Sequence, residues 1–436
     1  MNLSLLGILL ALVLLTVLVY KKVNIVLAAV LCCVLMAITD SASILTSLNQ
    51  GFLPGFAGFI SKNFLIFAFS ALFGKVMEDT GAAFSFAKLL VRAFGKERAI
   101  YGCMLATSLL TYGGVSVFVI AFTVFPIFLS VWQQSNLPRR LIPAAIAAAA
   151  VTYSEAFFPG AAQIHNIIPT KYLGTTPMAG ALVGSIVGIL MLVMLYFYFE
   201  YEIRKAHANG EGFECDQDTL AKMEKLEESA EVNPWLSIVP MAVLLITLNV
   251  FKQDVIVAMV LGSASAIIMF WSNIKDKLAT INTGIGGATM AIVNTAAAVG
   301  FGAVVNSTAG FQTLVNWVMS LNGNPLITLG CASTIIAGIT GSGAGGIGFT
   351  MEIFAERFLA MGVHPEIIHR VVTMAGVGLD SLPHNGFVVT LLAITGLTHK
   401  EAYKPMFITT VVFTTICLAI AMILGAVIYP IVPPIG

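Results

Sequence analysis

The sequence predicts an all-α polytopic membrane protein whose two halves are inserted in opposite orientations. Three observations carry this. The 436-residue chain is 58% hydrophobic and only 10% charged, which is more apolar surface than a soluble domain covers with a polar skin. Its apolar segments reach the length of about 20 residues that crosses a hydrocarbon core of about 30 Å. Its lysines and arginines collect at alternate junctions between those segments, as cytoplasmic loops do. Lys+Arg and Asp+Glu are both 22, so no net charge draws the chain to nucleic acid.

The first apolar run, Met1 to Tyr20, is followed by Lys21 and Lys22. A secretory signal has the reverse polarity, so this run is expected to span, with its N-terminus outside. Spans are expected at 3–20, 23–39, 52–74, 141–170 and 178–199, then at 235–251, 255–272, 283–305, 367–398 and 406–430. Two further apolar stretches, 99–132 and 325–358, are too long for one helix. Small residues interrupt each near its middle: Thr111-Tyr112-Gly113-Gly114 in the first and Thr340-Gly341-Ser342-Gly343-Ala344-Gly345-Gly346 in the second. Each arm holds roughly 12–17 residues, and at about 1.5 Å per residue the shorter arms fall short of a crossing. Lys96 and Arg98 precede the first stretch and Arg139 and Arg140 follow it. Two basic flanks lie on the same side, so the stretch is expected to be a re-entrant hairpin.

On this topology most of the 22 cations are cytoplasmic. Lys171, Lys252, Arg357 and Arg370 fall outside, and Lys62 alone falls within a span. Both termini are expected outside. The halves are 1–199 and 235–436, joined by a charge-rich cytoplasmic linker, 200–234, with a short polar helix at 218–231.

The halves echo each other. Gly102-Cys103 matches Gly330-Cys331, Gly113 matches Gly341, Pro138 matches Pro365 and Pro159 matches Pro383, at a nearly constant offset. Each half therefore holds five spans and a hairpin. An odd span count inverts the second copy, so hairpin 325–358 enters from outside. Two inverted repeats place a binding site near the midplane, between broken elements, as in secondary transporters.

The hairpin tips carry the first candidate chemistry. Glycines allow tight reversal and close backbone approach, and the free amides that open a half-helix attract anions. Thr111, Tyr112, Gly113, Gly114 and Ser116 in one tip, and Thr340, Gly341, Ser342 and Gly343 in the other, are expected to bind substrate. The second pair of breaks lies in 141–170 and 367–398, at Glu155-Ala-Phe-Phe-Pro159-Gly160 and Asp380-Ser381-Leu382-Pro383-His384-Asn385-Gly386. Proline disrupts helical bonding, and unwound backbone at this depth must be buried in protein or line a cavity. Ionisable groups there are functional candidates, so Asp380, Glu155 and His165 are candidates for carrying a proton. Asn166, His384 and Asn385 are candidates for bonding a substrate hydroxyl. The six cysteines form no metal or disulfide spacing and read as small buried hydrophobes. No metal or other cofactor is expected.

Residues 338–401 resemble the gluconate:proton symporter (GntP) family of the ion-transporter superfamily. The resembling text is Gly338-Ile-Thr-Gly-Ser-Gly-Ala-Gly-Gly346, His364-Pro-Glu-Ile-Ile-His-Arg370, Gly378-Leu-Asp-Ser-Leu-Pro-His-Asn-Gly386 and Leu391-Leu-Ala-Ile-Thr-Gly-Leu-Thr-His-Lys400. The branch it resembles most is that of hydroxybutyrate and other short hydroxy-acid permeases. The resemblance implies a homodimer in a bacterial inner membrane, with an elevator-like transport domain of hairpins and broken helices. It implies symport of a small organic monocarboxylate with protons. A sodium-coupled di- or tricarboxylate carrier and a passive anion channel are the alternatives.

Overall fold

The computed structural model describes residues 3–21, 23–96, 98–112, 115, 117–161, 163–214, 232–251, 253–320 and 324–430. All regular structure among them is helical. The polar helix expected at 218–231 lies outside the described residues.

The spans begin where short polar residues cap them. Asn24 Oδ1 accepts from Val26 N at 2.9 Å to open α2, Ile25–Thr39, behind α1, Leu3–Tyr20. Each such bond satisfies an amide that has no partner inside its helix. Then come α3, Ile44–Asp79, with a wide turn at Ser47–Phe52, and α4, Ala82–Phe94. The first hairpin is α5, Ala99–Tyr112, and α6, Val117–Gln134. Next is α7, Ile142–Val151, which ends where Thr152 leaves helical geometry at φ −120°, ψ −105°. A wide turn follows at Tyr153–Phe157, then single turns, then α8, Ala181–Ala208.

The second half repeats this order. Asn233 and Pro234 start α9, Pro234–Asn249; Asp254 caps α10, Val255–Met269; Asp276 caps α11, Lys277–Ser307. Next are α12, Ala309–Ser320, and the hairpin α13, Pro325–Thr340, with α14, Gly343–Ala360. The broken element is α15, Pro365–Ala375, a single turn at Leu379–Ser381, and α16, Gly386–Thr395. The last helix is α17, His399–Ile428. Proline at the first helical position suits the starts of α9, α13 and α15, because its missing N–H is one that has no partner there.

Among the described residues, six helices are long and apolar enough to cross a membrane: α1, α3, α6, α8, α11 and α17. Helix α15 and its following turn join α16 as a seventh span, bent by 52°. The expected spans at 23–39, 235–251 and 255–272 are shorter apolar helices. Helix α6 has 18 residues, so the second arm of that hairpin exceeds the expected length. Helices α4 and α12 fall between expected spans. They are too short to cross and each has one apolar face, a pattern that a search for continuous apolar runs passes over.

The contacts are reciprocal between halves. α1 pairs with α2 and packs on α12, and α9 pairs with α10 and packs on α4. α2 lies on α11, and α10 lies on α3. The long helices α3 and α11 lie side by side and form the most extensive contact in the molecule. Gly55 sits so close to Ala303 and Gly300 that a side chain would have no room there. Such small-residue seams let helices approach where lipid supplies no hydrophobic drive. Cys331 is exposed, against the expectation, because it sits on an outer face of α13. Cys32, Cys33, Cys103 and Cys417 are buried. Arg370, expected at an outer surface, is fully buried in α15.

Candidate functional site

The second hairpin reverses at Gly341, whose φ of +62° lies in the left-handed region that glycine occupies without strain. Ser342 caps α14, accepting from Gly345 N at 3.1 Å. Asp380 comes to this tip from the bent span. Gly343 packs against its carboxylate, where an added Cβ would lie 2.9 Å from Asp380 Oδ2, and Asn385 Nδ2 donates to Asp380 Oδ1 at 2.7 Å. The other Asn385 amide bond runs to Gly341 O at 3.1 Å, and Asn385 Oδ1 accepts from Val388 N at 3.0 Å to cap α16. One asparagine thus ties the tip, the acid and the start of α16 together. Gly343 has no room for a Cβ: it would overlap His165 Nε2 and Gly376 O and come within 2.9 Å of Asp380 Oδ2.

The first half is tied by a different residue. Gln163 Nε2 donates to Thr111 O at 2.5 Å and to Val115 O at 2.8 Å, holding the carbonyls on either side of the tip. Tyr112 OH donates to Pro159 O at 2.8 Å. Glu155 lies in the wide turn after α7, and its Oε1 is 2.9 Å from His165 Nδ1. The contact is a close charge contact whose angle is poor for a hydrogen bond, and neither ring nitrogen of His165 has a well-aligned partner. Glu155, His165 and Asp380 are within electrostatic reach of one another.

The two breaks are held together by α15. Arg370 Nη1 donates to Ala156 O at 3.0 Å, its Nε to Ala179 O at 3.0 Å, and its Nη2 to Ala179 O at 2.6 Å and Pro177 O at 3.1 Å. A buried guanidinium survives only with its donors matched. His369 Nε2 lies 3.0 Å from Asn166 Oδ1, and His369 Nδ1 lies 2.8 Å from Thr175 Oγ1. Thr373 Oγ1 reaches His165 O at 3.4 Å.

A cavity of about 700 Å³ opens where these parts meet. Glu155, His165, Gln163, Asp380, Ser381 and Asn385 supply polar groups to its wall. Gly341, Ser342, Gly343 and Ala344 add the hairpin tip, and Gly386 and Phe387 add the start of α16. Two helix N-termini therefore face the space. Thr295 of α11 and Asn63 of α3 line the far side, and Lys171 is the only Lys or Arg among the described lining residues.

The expected site residues divide accordingly. Gly341, Ser342, Gly343, Asn385, Asp380, Glu155 and His165 line the cavity. Thr111 and Thr340 are buried and turn their hydroxyls onto Thr107 O and Ile336 O, at 3.2 and 2.9 Å. His384 is buried behind the tip, with Nε2 3.0 Å from Gly338 O. Asn166 Nδ2 is committed to Ala161 O and Pro177 O, both at 2.9 Å. Tyr112 lines a separate groove. Gly113, Gly114 and Ser116 lie outside the described residues. Gln163 and Lys171 also line the cavity and Arg370 braces its wall, and none of the three is among the expected site residues. Gln163 lies between Pro159 and His165, so proximity to the break was the available signal.

A bent span and a polar cavity enclosed by interrupted apolar helices fit a membrane transporter. The sequence model described as "GntP family permease" matches residues 3–428, and the chain belongs to that family. It is 35% identical over 460 aligned residues to "Uncharacterized transporter YxjC" of Bacillus subtilis (strain 168), covering 95% of this chain and 98% of that protein. It is 24% identical to an "Uncharacterized transporter" of Haemophilus influenzae, over 76% of each chain. A 60-residue stretch is 42% identical to "Gluconate permease" of Pseudomonas aeruginosa, covering 14% of this chain and 13% of that protein.

Proposed function

We propose that the protein is a proton-coupled symporter for a small organic monocarboxylate, a hydroxy acid such as 3-hydroxybutyrate or a sugar acid such as gluconate. The observation that carries this reading is the Asp380 carboxylate packed against Gly343 at the start of α14, facing the cavity. The amides that open α14 are where an incoming carboxylate gains most from the helix dipole. Two unit charges 4 Å apart repel by about 4 kcal/mol at an effective dielectric of 20. An anion therefore enters favourably when Asp380 is protonated. Glu155 and His165 form a second proton-accepting pair beside it. Ser342 and Gln163 line the same space and supply polar groups for hydroxyls.

The cavity is within the usual range of small-molecule sites, about 300–1,000 Å³. The short likeness to a gluconate permease supports a sugar acid. The reciprocal helix contacts support two inverted repeats, 1–199 and 235–436, around a cytoplasmic linker. In this reading the hairpins and broken spans move as one elevator-like body within a homodimer in a bacterial inner membrane.

Uptake into proteoliposomes tests the assignment. Labelled 3-hydroxybutyrate, lactate, gluconate and citrate are offered under an imposed proton gradient, a sodium gradient or neither. Accumulation of one monocarboxylate that a protonophore abolishes is expected. Uptake driven by sodium alone, or uptake without saturation or counterflow, overturns the reading.

A further inference from the structure

A second cavity lies directly behind the first. It is a groove of about 270 Å³ between α5, the turn after α7, and α8. Tyr153 and Ser154 form its back wall, while the adjacent Glu155 faces the polar cavity. One turn of backbone thus separates the two spaces. Apart from Tyr196 at the rim, the groove's hydroxyls are matched within the protein. Ser108 and Tyr153 hydrogen-bond to each other, and Tyr101 OH donates to Glu200 Oε1 at 2.9 Å. What remains is an apolar slot whose rim residues Leu105, Leu109 and Tyr196 are strongly exposed.

One end of the slot is charged. Tyr101 and Tyr196 pack there with ring centroids 5.2 Å apart. Helix α8 is apolar up to Phe199 and then runs Glu200-Tyr-Glu-Ile-Arg-Lys205. A spanning helix of about 20 apolar residues reaches the interface where its charges begin, and Tyr and Arg mark that level. Arg204 is 81% exposed and 3.6 Å from Glu200. Arg98 is exposed and stands three residues before Tyr101 on the same chain.

We propose that this groove holds an acyl chain of an anionic phospholipid, with the headgroup phosphate on Arg98 and Arg204. A slot whose inner hydroxyls are all matched suits a hydrocarbon tail. Two arginines at its interfacial end suit an anionic headgroup, at about fivefold in affinity per cation. The seated tail braces the hairpin arm α5 against the wall that carries Glu155. This site needs no assumption about the transported acid.

Native mass spectrometry tests it on the full-length protein, extracted from vesicles of equal parts phosphatidylglycerol and phosphatidylethanolamine. The wild type should retain phosphatidylglycerol selectively. Arg98→Gln with Arg204→Gln, both exposed and so tolerated by the fold, should weaken that retention by about thirtyfold. Leu109→Trp should fill the slot and release both lipids, with Leu105→Trp as the second slot-filling variant. Equal retention of the two lipids by the wild type overturns the proposal, as does retention unchanged in the arginine pair. Loss of a dimer without loss of lipid in the tryptophan variants assigns the slot to a second copy of the chain, and also overturns it.

Discussion

The two breaks put a carboxylate on one cavity but surround it differently. Asp380 accepts from a side-chain amide and packs against Gly343, groups that do not titrate. Glu155 faces His165, which does, and the turn that carries it is held by Arg370 from the other half. Hydrogen-bond donors without a charge of their own fix an acid in place while leaving its proton exchangeable with the cavity. A histidine partner makes the proton count belong to the pair. On the proposed function, Asp380 competes directly with the substrate carboxylate and the Glu155–His165 pair tunes it.

Removing the clamp on the first break should have the largest effect. Arg370→Gln leaves carbonyls of Ala156 and Ala179 without their arginine donors in a buried site, while Pro177 O keeps Gly160 N and Asn166 Nδ2. Unmatched buried groups cost about 1–3 kcal/mol each, so a loss of about 2 kcal/mol or more is expected. Thermal unfolding in detergent reads this directly. An unchanged midpoint would mean that the breaks stand independently, and the contrast drawn above would need a different cause.

Gly343→Ala should abolish transport and also lower the melting point in detergent. The added Cβ overlaps His165 Nε2 and Gly376 O. Gly348→Ala, on the same helix with nothing within 4 Å of the new atom, should transport normally. Equal uptake by both variants would remove the tip from the site.

Asp380→Asn should reduce proton-driven accumulation by about 5–150-fold, the usual range of a coupling free energy. Substrate counterflow should survive. Glu155→Gln should reduce transport by about tenfold at most while flattening its dependence on pH. Reversal of these two phenotypes would exchange the roles of the acids.

The smallest effect is outside the membrane. Arg140 holds the Glu211 carboxyl below its ordinary range through a 2.8 Å bond. A depressed carboxylate stabilises the fold above its unfolded value of about 4.3, and that contribution disappears as pH falls through the lower folded value. Glu211 is a third exposed, so screening keeps the contribution under about 1 kcal/mol. Glu211→Gln should match the wild type near pH 3 and melt slightly lower at pH 6, with the gap closing in high salt.

The sequence revealed most of the helices because apolar length and capping residues are local signals. Thr340–Gly346 marked the second reversal, and the Glu155 and Asp380 breaks lie where proline and glycine interrupt the apolar runs. What stayed hidden depends on contacts between distant segments. Gln163 is an ordinary polar residue until the carbonyls of Thr111 and Val115 are placed beside it. Arg370 reads as a loop cation because charge near a span end is usually solvated. The carbonyls that keep it buried lie some 190–215 residues earlier. Asn385 and Asn166 looked alike in sequence. One lines the cavity, while the other is an internal strut to His369.

That separation along the chain has a consequence for biosynthesis. Ala179 and Ala156 are made 191 and 214 residues before the arginine that will hold them. At about 5–20 residues per second, those carbonyls wait roughly 10–40 s for their donor. The first half is thus made unfinished, and only synthesis of the second half completes it.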